Sequence, residues 1–598
     1  KTYADRYTEV VQVAFTPGKT KFEVNNCQLA AMAIVPAAKA ADMTKYIDSL
    51  RQDITRYRRQ FMFAYCADVR CDLKPADSQA PAGMIVLRVP EDQAFVPDWA
   101  PEPRDRVETI KACCANGGLA VVPLAVCSVK KTLLVSASVG ALKDAQGAAL
   151  AGSPPVAEAW FCQKVPRLQG AKLEYWPWVM VKHHGPLEER QLAALVLVIA
   201  PPAGAKAGVY SGTVKLSVTG GQMEVPLELE VVGAGQLPAE QPTLGALHQS
   251  GDAREFWGAA TEGASDAQLE TGTAKLRKEL LAAGDLDAFC VNGLNVGGRP
   301  PSVDDDALLK TLRAYPARQT PGKTLISLGQ PLHHLWDRDL GSDMYKHIMG
   351  NLAAKAASDS KAAGLPDYLL MAGEAIALPD LRDLAVRCNA VSAAGGPVAV
   401  ATFGSTLDKM PNDKRANLLS PFAALILHPD VKGTPAILES FKNAGKDRSV
   451  YIWAMQPSRY VAGFYAASVG AAGCYLQDLY SDDEPYDGFS FVGNALLAAA
   501  PDGTTSPTLA ALRLRQGRED YMLMLRAGRL RHKLEDAKLT CEQLDNVLND
   551  IRSQAVSSGT VAYDGNLLRA NNFQPSQLEK WREQLTRACG AAQGVLGK

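Results

Sequence analysis

The part of this sequence that most restricts its fold lies between residues 243 and 504, where short apolar runs alternate with longer segments of helical spacing. The runs are "TLGALHQS" at 243–250, "LDAFCVNGLN" at 286–295, "TLISLGQP" at 324–331, "DYLLMAGE" at 367–374, "GPVAVATFG" at 396–404, "AALILHPD" at 423–430, "SVYIWAMQP" at 449–457 and "GCYLQDLY" at 473–480. Between them stand segments such as "DAQLETGTAKLRKELLAAG" and "LRDLAVRCNAVSAAG", whose apolar residues recur at helical intervals and whose ends carry Gly stops. Buried strands each followed by a helix, eight times over roughly 250 residues, are the pattern of a (β/α)8, TIM-like barrel.

The flanks read differently. Residues 1–117 predict a mixed α/β region: "YTEVVQVAF" alternates like a strand, "KAADMTKYIDSLRQDITRYRRQF" has helical spacing, and "AGMIVLRVP" returns to a strand. Residues 118–235 predict a β-sandwich, because "LAVVPLAV", "KTLLVSASV", "QLAALVLVIA", "GVYSGTVKLSVTG" and "QMEVPLELEVV" are separated by Gly, Pro and polar turns. "GAGQLPAEQPTLG" at 233–245 has the composition of a linker into the barrel, which occupies 243–504, and residues 505–598 predict a helical tail with charged, solvated faces. A multidomain chain fits the length of 598 residues.

Composition narrows function mainly by exclusion. Lys and Arg total 63 against 64 Asp and Glu, so there is no basic excess to hold nucleic acid. No apolar stretch approaches the roughly 20 residues of a membrane span, and "ALVLVIAPPAGA" is broken by Pro201 and Pro202. The first residue is Lys1 rather than Met, so the expectation is a processed, exported chain that is secreted, periplasmic or at the cell surface. The 12 cysteines include no C-x-x-C spacing, and the eight histidines form no H-x-x-x-H pair, so neither a metal site nor a cofactor is expected. Cys66, Cys71, Cys113 and Cys114 could join disulfides in an oxidising compartment, whereas Cys290, Cys388 and Cys474 sit in apolar runs and read as buried hydrophobes.

In such a barrel the working face is the ring of C-terminal strand ends, which turns position within each run into a map of candidates. The map places His248 after the first strand, Asn292 after the second, Gln330 after the third and Glu374 after the fourth. It continues with His428 and Asp430 after the sixth, Trp453 at the seventh, and Gln477, Asp478 and Tyr480 at the eighth. Amides, carboxylates and an aromatic around one mouth suit a sugar, with hydroxyls to pair and a ring face to stack. A retaining glycosidase needs two carboxylates about 5 Å apart. The seventh run offers no acid, and Asp478 could partner Glu374 only across the mouth.

Three stretches resemble a known group. "LVLVIAPPAGAKAGVYSGTVKLSVTGGQMEVPLELEVV" (195–232) is similar to the strand-rich module that precedes the barrel in glycoside hydrolase family 123, and "SRYVAGFYAASVGAAGCYLQDLYSDDEPYDG" (458–488) is similar to that group's last barrel helix and strand. "LAALRLRQGREDYMLMLRAGRL" (509–530) resembles domain of unknown function 4091, in which an Arg-x-Gly-x-x-Asp-Tyr core recurs, here Arg515, Gly517, Asp520 and Tyr521. The resemblance implies a sandwich, barrel and helical tail descended from β-N-acetylgalactosaminidases. In that family the sugar's own 2-acetamido oxygen attacks the anomeric carbon, an Asp holds the acetamido N–H, and the adjacent Glu protonates the leaving oxygen. The matching positions are Gly373, Glu374 and Ala375, so the acid is retained and the orienting Asp is absent. Losing an electrostatic partner of that kind costs on the order of a thousandfold in rate.

The expectation is an exported glycoside hydrolase-like protein acting on or binding a glycan or glycoconjugate of β-N-acetylhexosaminide type, with Glu374 as candidate general acid. The alternative is a non-catalytic glycan-binding or cell-surface structural protein derived from a glycosidase. That second reading also allows self-association.

Overall fold

In a computed structural model of the protein, the described residues are 71–75, 83–90, 99–132, 135–150, 156–169, 172–185, 187–218, 221–235, 241–247, 263–297, 301–303, 307–313, 324–335, 338–365, 367–445, 447–455, 457–477, 496–499, 504–558 and 573–597, with isolated residues 42, 45 and 238. The strand and helix read at the start of the chain fall outside this set, apart from the two isolated helical positions.

Ten strands before residue 233 form two five-stranded sheets. One runs in the order Met84–Arg88, Ala120–Ser128, Leu192–Ile199, Ala157–Gln169, Lys172–Val181. The other runs Ile110–Ala115, Gly221–Val232, Gly208–Val218, Val135–Val139, His183–His184. Alternation decides which side chains are hidden: along "QMEVPLELEVV" Met223, Val225, Leu227, Leu229 and Val231 are buried while Glu224, Glu228 and their neighbours are exposed. Those buried residues share one apolar core with Val122, Leu124, Val126, Leu195 and Leu197 of the first sheet. The sheets take in two strands, Met84–Arg88 and Ile110–Ala115, that precede residue 118, where the all-β pattern was expected to begin. Ile110–Ala115 was unreadable as a strand because it pairs in parallel with residues 227–232, a partner more than a hundred residues away.

From residue 243 a closed eight-stranded barrel follows: β1 (Thr243–Ala246), β2 (Ala288–Val291), β3 (Thr324–Ser327), β4 (Tyr368–Ala375), β5 (Val398–Phe403), β6 (Ala424–His428), β7 (Ser449–Ala454) and β8 (Gly473–Leu476). All neighbours are parallel, and β8 returns to pair with β1. The outer helices include α1 (Asp266–Gly284), α2 (Ala307–Arg313), α3 (Asp343–Ala362), α4 (Leu378–Ala393) and α5 (Thr434–Asn443). α1 begins where Ser265 and Gln268 satisfy each other's backbone N–H groups in a capping box. The interior is packed solid by Leu325, Leu369, Met371, Ile426, Tyr451, Trp453 and Tyr475 among others.

Three helices complete the described chain: α6 (Leu509–Asp536), α7 (Glu542–Ser558) and α8 (Pro575–Leu596). α6 is buried along most of its length, so its polar residues must find partners. Arg518 donates to Gln241 Oε1 (2.8 Å) and Asp287 Oδ1 (3.2 Å), and Asp287 in turn accepts from Leu244 N at 2.9 Å, which ties α6 to the starts of β1 and β2. Tyr521 donates its hydroxyl to Ala471 O (2.5 Å) just before β8. Gly517 lets α6 approach the helix after β7 (residues 459–468): a Cβ there would lie 2.8 Å from Arg459 O. Asp520 accepts from Arg459 Nε at 2.6 Å, so the Gly, Asp and Tyr of the Arg-x-Gly-x-x-Asp-Tyr stretch are docking residues. α8 also reaches the sheets, where Arg582 donates to Leu119 O at 2.7 Å.

One carboxyl in this layer carries a pH signature. Burial pushes Glu519 up to about 7, with Asp285 adding to the rise and Arg582 opposing it. The reference carboxyl titrates at 4.5, so between that value and about 7 the folded chain binds more protons than the unfolded one. Stability then falls as pH rises through this window. Glu519→Gln is expected to be near neutral at about pH 5 and stabilising at about pH 8. Urea denaturation at both values checks this, and an equal effect at the two would contradict it.

Candidate functional site

Glu374 reaches the barrel mouth through an irregularity in β4. The pairing runs Met371 with Ala399 and then Glu374 with Ala401, so β4 spends one residue more than β5. A bulge of this kind re-aims a side chain at a strand end. Gly373 takes φ +142°, a conformation that side-chain-bearing residues rarely adopt. A Cβ on Gly373 would stand 3.8 Å from Leu384 Cδ1 of α4. A side chain at 373 would thus point into the outer helix layer, whereas Met371 belongs to the barrel interior.

The partner of Glu374 comes from the far side of the ring. Gln477 follows β8 directly, and its Nε2 donates to both carboxylate oxygens of Glu374 at 3.2 Å. β4 and β8 are four strands apart in an eight-stranded ring, so two long side chains meet over the barrel axis. The gap expected between these strand ends is bridged. The oxygens through which Glu374 would protonate a leaving group are already engaged by an amide.

Beneath this bridge the barrel is apolar and aromatic. Trp453 is 1% exposed and packs at 5.0 Å, centroid to centroid, from Phe403, so it is a core residue and no platform for a sugar. His428 is 5% exposed, stands edge-on to Phe403 at 5.0 Å, and donates from Nδ1 to Trp453 O at 3.0 Å. Burial holds its imidazole below the ordinary value, while the Trp453 carbonyl and Asp430 pull the other way. The ring is neutral and structural at pH 7. Cys290 of β2 is pushed up to about 12, first by burial and then by the charge of Glu374, so it stays a thiol.

The other candidates divide. Gln330 does not face the mouth as a free amide: its Oε1 accepts from Val296 N (3.0 Å) and its Nε2 donates to Val296 O (3.2 Å), clamping the loop after β2. Asp430 caps the short helix Gly404–Asp408 by accepting from Ser405 N at 2.9 Å and Ser405 Oγ at 2.5 Å. Asn292 is exposed just beyond β2. His248, Asp478 and Tyr480 lie outside the described residues. The structure brings together Glu374 and Gln477, with Cys290 beside the carboxylate. Among the described residues no group of three or more His, Cys, Asp or Glu is placed to hold a metal ion. Nor, among them, is any helix long and apolar enough to cross a membrane.

Comparison with known proteins places the fold. No family model matches the sequence, and neither does any curated protein. Among solved structures, a family 123 glycoside hydrolase from Clostridium perfringens, described in terms of glycolipid glycan hydrolysis, superposes with a TM-score of 0.60 at 13% identity, over 84% of this chain and 98% of that one. The chain therefore has a glycoside hydrolase-like fold. An endo-β-N-acetylglucosaminidase from Cordyceps militaris (10% identity, 47% of this chain, 91% of that one) and a β-glucuronidase from Parabacteroides merdae (9% identity, 68% and 50%) superpose with TM-scores of only 0.26 and 0.25.

Proposed function

We propose that this chain, an exported sandwich, barrel and helical-tail protein of glycosidase descent related to domain of unknown function 4091, binds a glycan at its barrel mouth and does not hydrolyse it by substrate assistance. The observation that carries the reading is the backbone at Gly373. At φ +142°, a conformation that side-chain-bearing residues rarely adopt, a Cβ at this position would stand beside Leu384 of the outer helix α4. The position of the orienting Asp is thus held by a Gly whose backbone disfavours any side chain. Glu374 and Gln477 remain as a polar pair able to accept from and donate to sugar hydroxyls or an acetamido group once Gln477 turns aside. Glycan binding itself is inferred from the likeness to a family 123 enzyme and from this pair.

The test is a panel of aryl β-N-acetylhexosaminides and unsubstituted aryl glycosides, with calorimetric binding of the corresponding oligosaccharides. No turnover is expected from wild type, and none from Gly373→Asp. Glu374→Ala is expected to weaken binding by about ten- to a hundredfold, the range for a hydrogen bond to a charged group. Turnover by wild type that Glu374→Gln abolishes would establish the enzyme reading instead. Absence of both turnover and binding would leave the barrel a structural part.

A further inference from the structure

The barrel mouth has an apolar side as well as a polar bridge. Along β5, Ala399 and Ala401 belong to the barrel interior, and Phe403, next in the same alternation, packs on that interior from the strand end. β7 repeats the arrangement: Tyr451 and Trp453 are interior, and Met455, just beyond the strand, packs on the same cluster. The interior aromatics Tyr451, Trp453 and Tyr475 are at most 1% exposed, whereas Phe403 and Met455 are both partly exposed. Two inward-facing side chains at the C-terminal strand ends cap the packed core, and the surface they leave open is the mouth.

Register places this apolar pair against the polar one. Glu374 pairs with Ala401, so Phe403 stands one alternation further toward the mouth on the adjacent strand. Glu374 and Gln477, from β4 and β8, are partly exposed as well. The Phe403 ring is braced, because the ring centroids of His428 and Trp453 each lie 5.0 Å from its own. A ring fixed in this way loses little freedom when a ligand lies on it. Met455 is unbranched and polarizable, so it can follow a ligand's outline.

We propose that Phe403 and Met455 form the apolar wall of the ligand site and take the C–H face of a pyranose ring whose polar substituents meet Glu374 and Gln477. The inference rests on the reading of the mouth as a glycan site and adds to it the requirement for a closed ring. A pyranose gathers C–H groups on one face and carries its hydroxyls around the rim, which matches one apolar wall beside one polar pair. An open-chain polyol offers the same hydroxyls without a rigid apolar face.

Calorimetry on the full chain compares methyl β-N-acetylglucosaminide and methyl β-N-acetylgalactosaminide with N-acetylglucosaminitol, an open-chain counterpart. The closed rings are expected to bind more tightly. Phe403→Leu is expected to weaken ring binding by about two- to tenfold, the range for a specific aromatic contact, and to leave the affinity for the open chain unchanged. Phe403→Tyr should keep the ring affinity. A second readout needs no folded variant at Phe403: with isotope-labelled methionine methyls, the Met455 signal, assigned by its loss in Met455→Leu, is expected to shift on adding a glycoside. The fully buried Met349 of α3 should stay unmoved. Equal losses for ring and open chain show a structural role for Phe403 and overturn the proposal, as does a Met455 methyl that stays still while sugar binds. Binding that responds to Glu374→Ala but not to Phe403→Leu overturns the proposal and leaves the glycan reading standing. No binding of any of the three by wild type overturns both.

Discussion

Asp520→Asn is expected to cost about 3–5 kcal/mol of unfolding free energy, the range for removing one partner of a buried ion pair. Asp520 is fully buried and accepts from Arg459 Nε and Arg582 Nε, each at 2.6 Å. Arg459 also donates to Glu579 and to Leu578 O (3.5 Å), while Arg582 donates to Gln516 O and Leu119 O, both at 2.7 Å. One carboxylate thus joins α6, α8, the helix after β7 and the flank of the sheets. Removing its charge leaves two guanidinium groups inside the protein, with Glu579 as the other carboxylate that Arg459 meets. Glu579 stays below the ordinary carboxylate value although burial pushes it up, because Arg459 and then Arg582 hold it charged. Its share of stability is present above the ordinary carboxylate value and is lost as pH falls through the lower folded value. Urea unfolding measures the loss without screening the charges, and a change below about 1 kcal/mol would refute the role given to Asp520.

The second large effect concerns closure of the barrel. Gly473 opens β8 and pairs with Thr243 of β1, the contact that completes the ring. A Cβ on Gly473 would fall 2.0 Å from Thr243 O and 2.7 Å from Thr243 N. Those are backbone atoms of a paired strand, which no rotamer change can move away. Gly473→Ala is expected to cost more than about 3 kcal/mol or to prevent folding. The control is Gly594→Ala on α8, where the added methyl meets nothing within 4 Å and helix propensity predicts a gain of up to about 1 kcal/mol. Equal melting temperatures for Gly473→Ala and wild type would show that β1 and β8 do not need this close approach.

How far the sequence could be read depends on the element. All eight barrel strands start inside the apolar runs that predicted them, and only β4 extends past its run, by one residue to Ala375. Composition alone marks a strand covered on both faces, because nearly every residue is apolar. The same property hides which residues face inward. In β7, Tyr451 and Trp453 point into the barrel while Val450 and Ile452 pack against the outer helices, a parity that a continuous apolar run does not encode. That is why Trp453 could be read as a sugar platform and proves to be core. The commitment of Gln330 was equally illegible, since its backbone partner lies 34 residues away on another loop.

By itself the sequence determined that a barrel of eight strands would form, that Glu374 would stand near the end of the fourth, and that Gly would occupy the position beside it. Local patterns suffice for this, because strand length, burial and order along the chain are properties of neighbouring residues. Only the tertiary structure decided that Gly373 aims toward α4 and that Gln477, 103 residues from Glu374, closes across the axis. Both follow from the bulge in β4 and from ring closure, which set the direction of each side chain through contacts between residues distant in sequence.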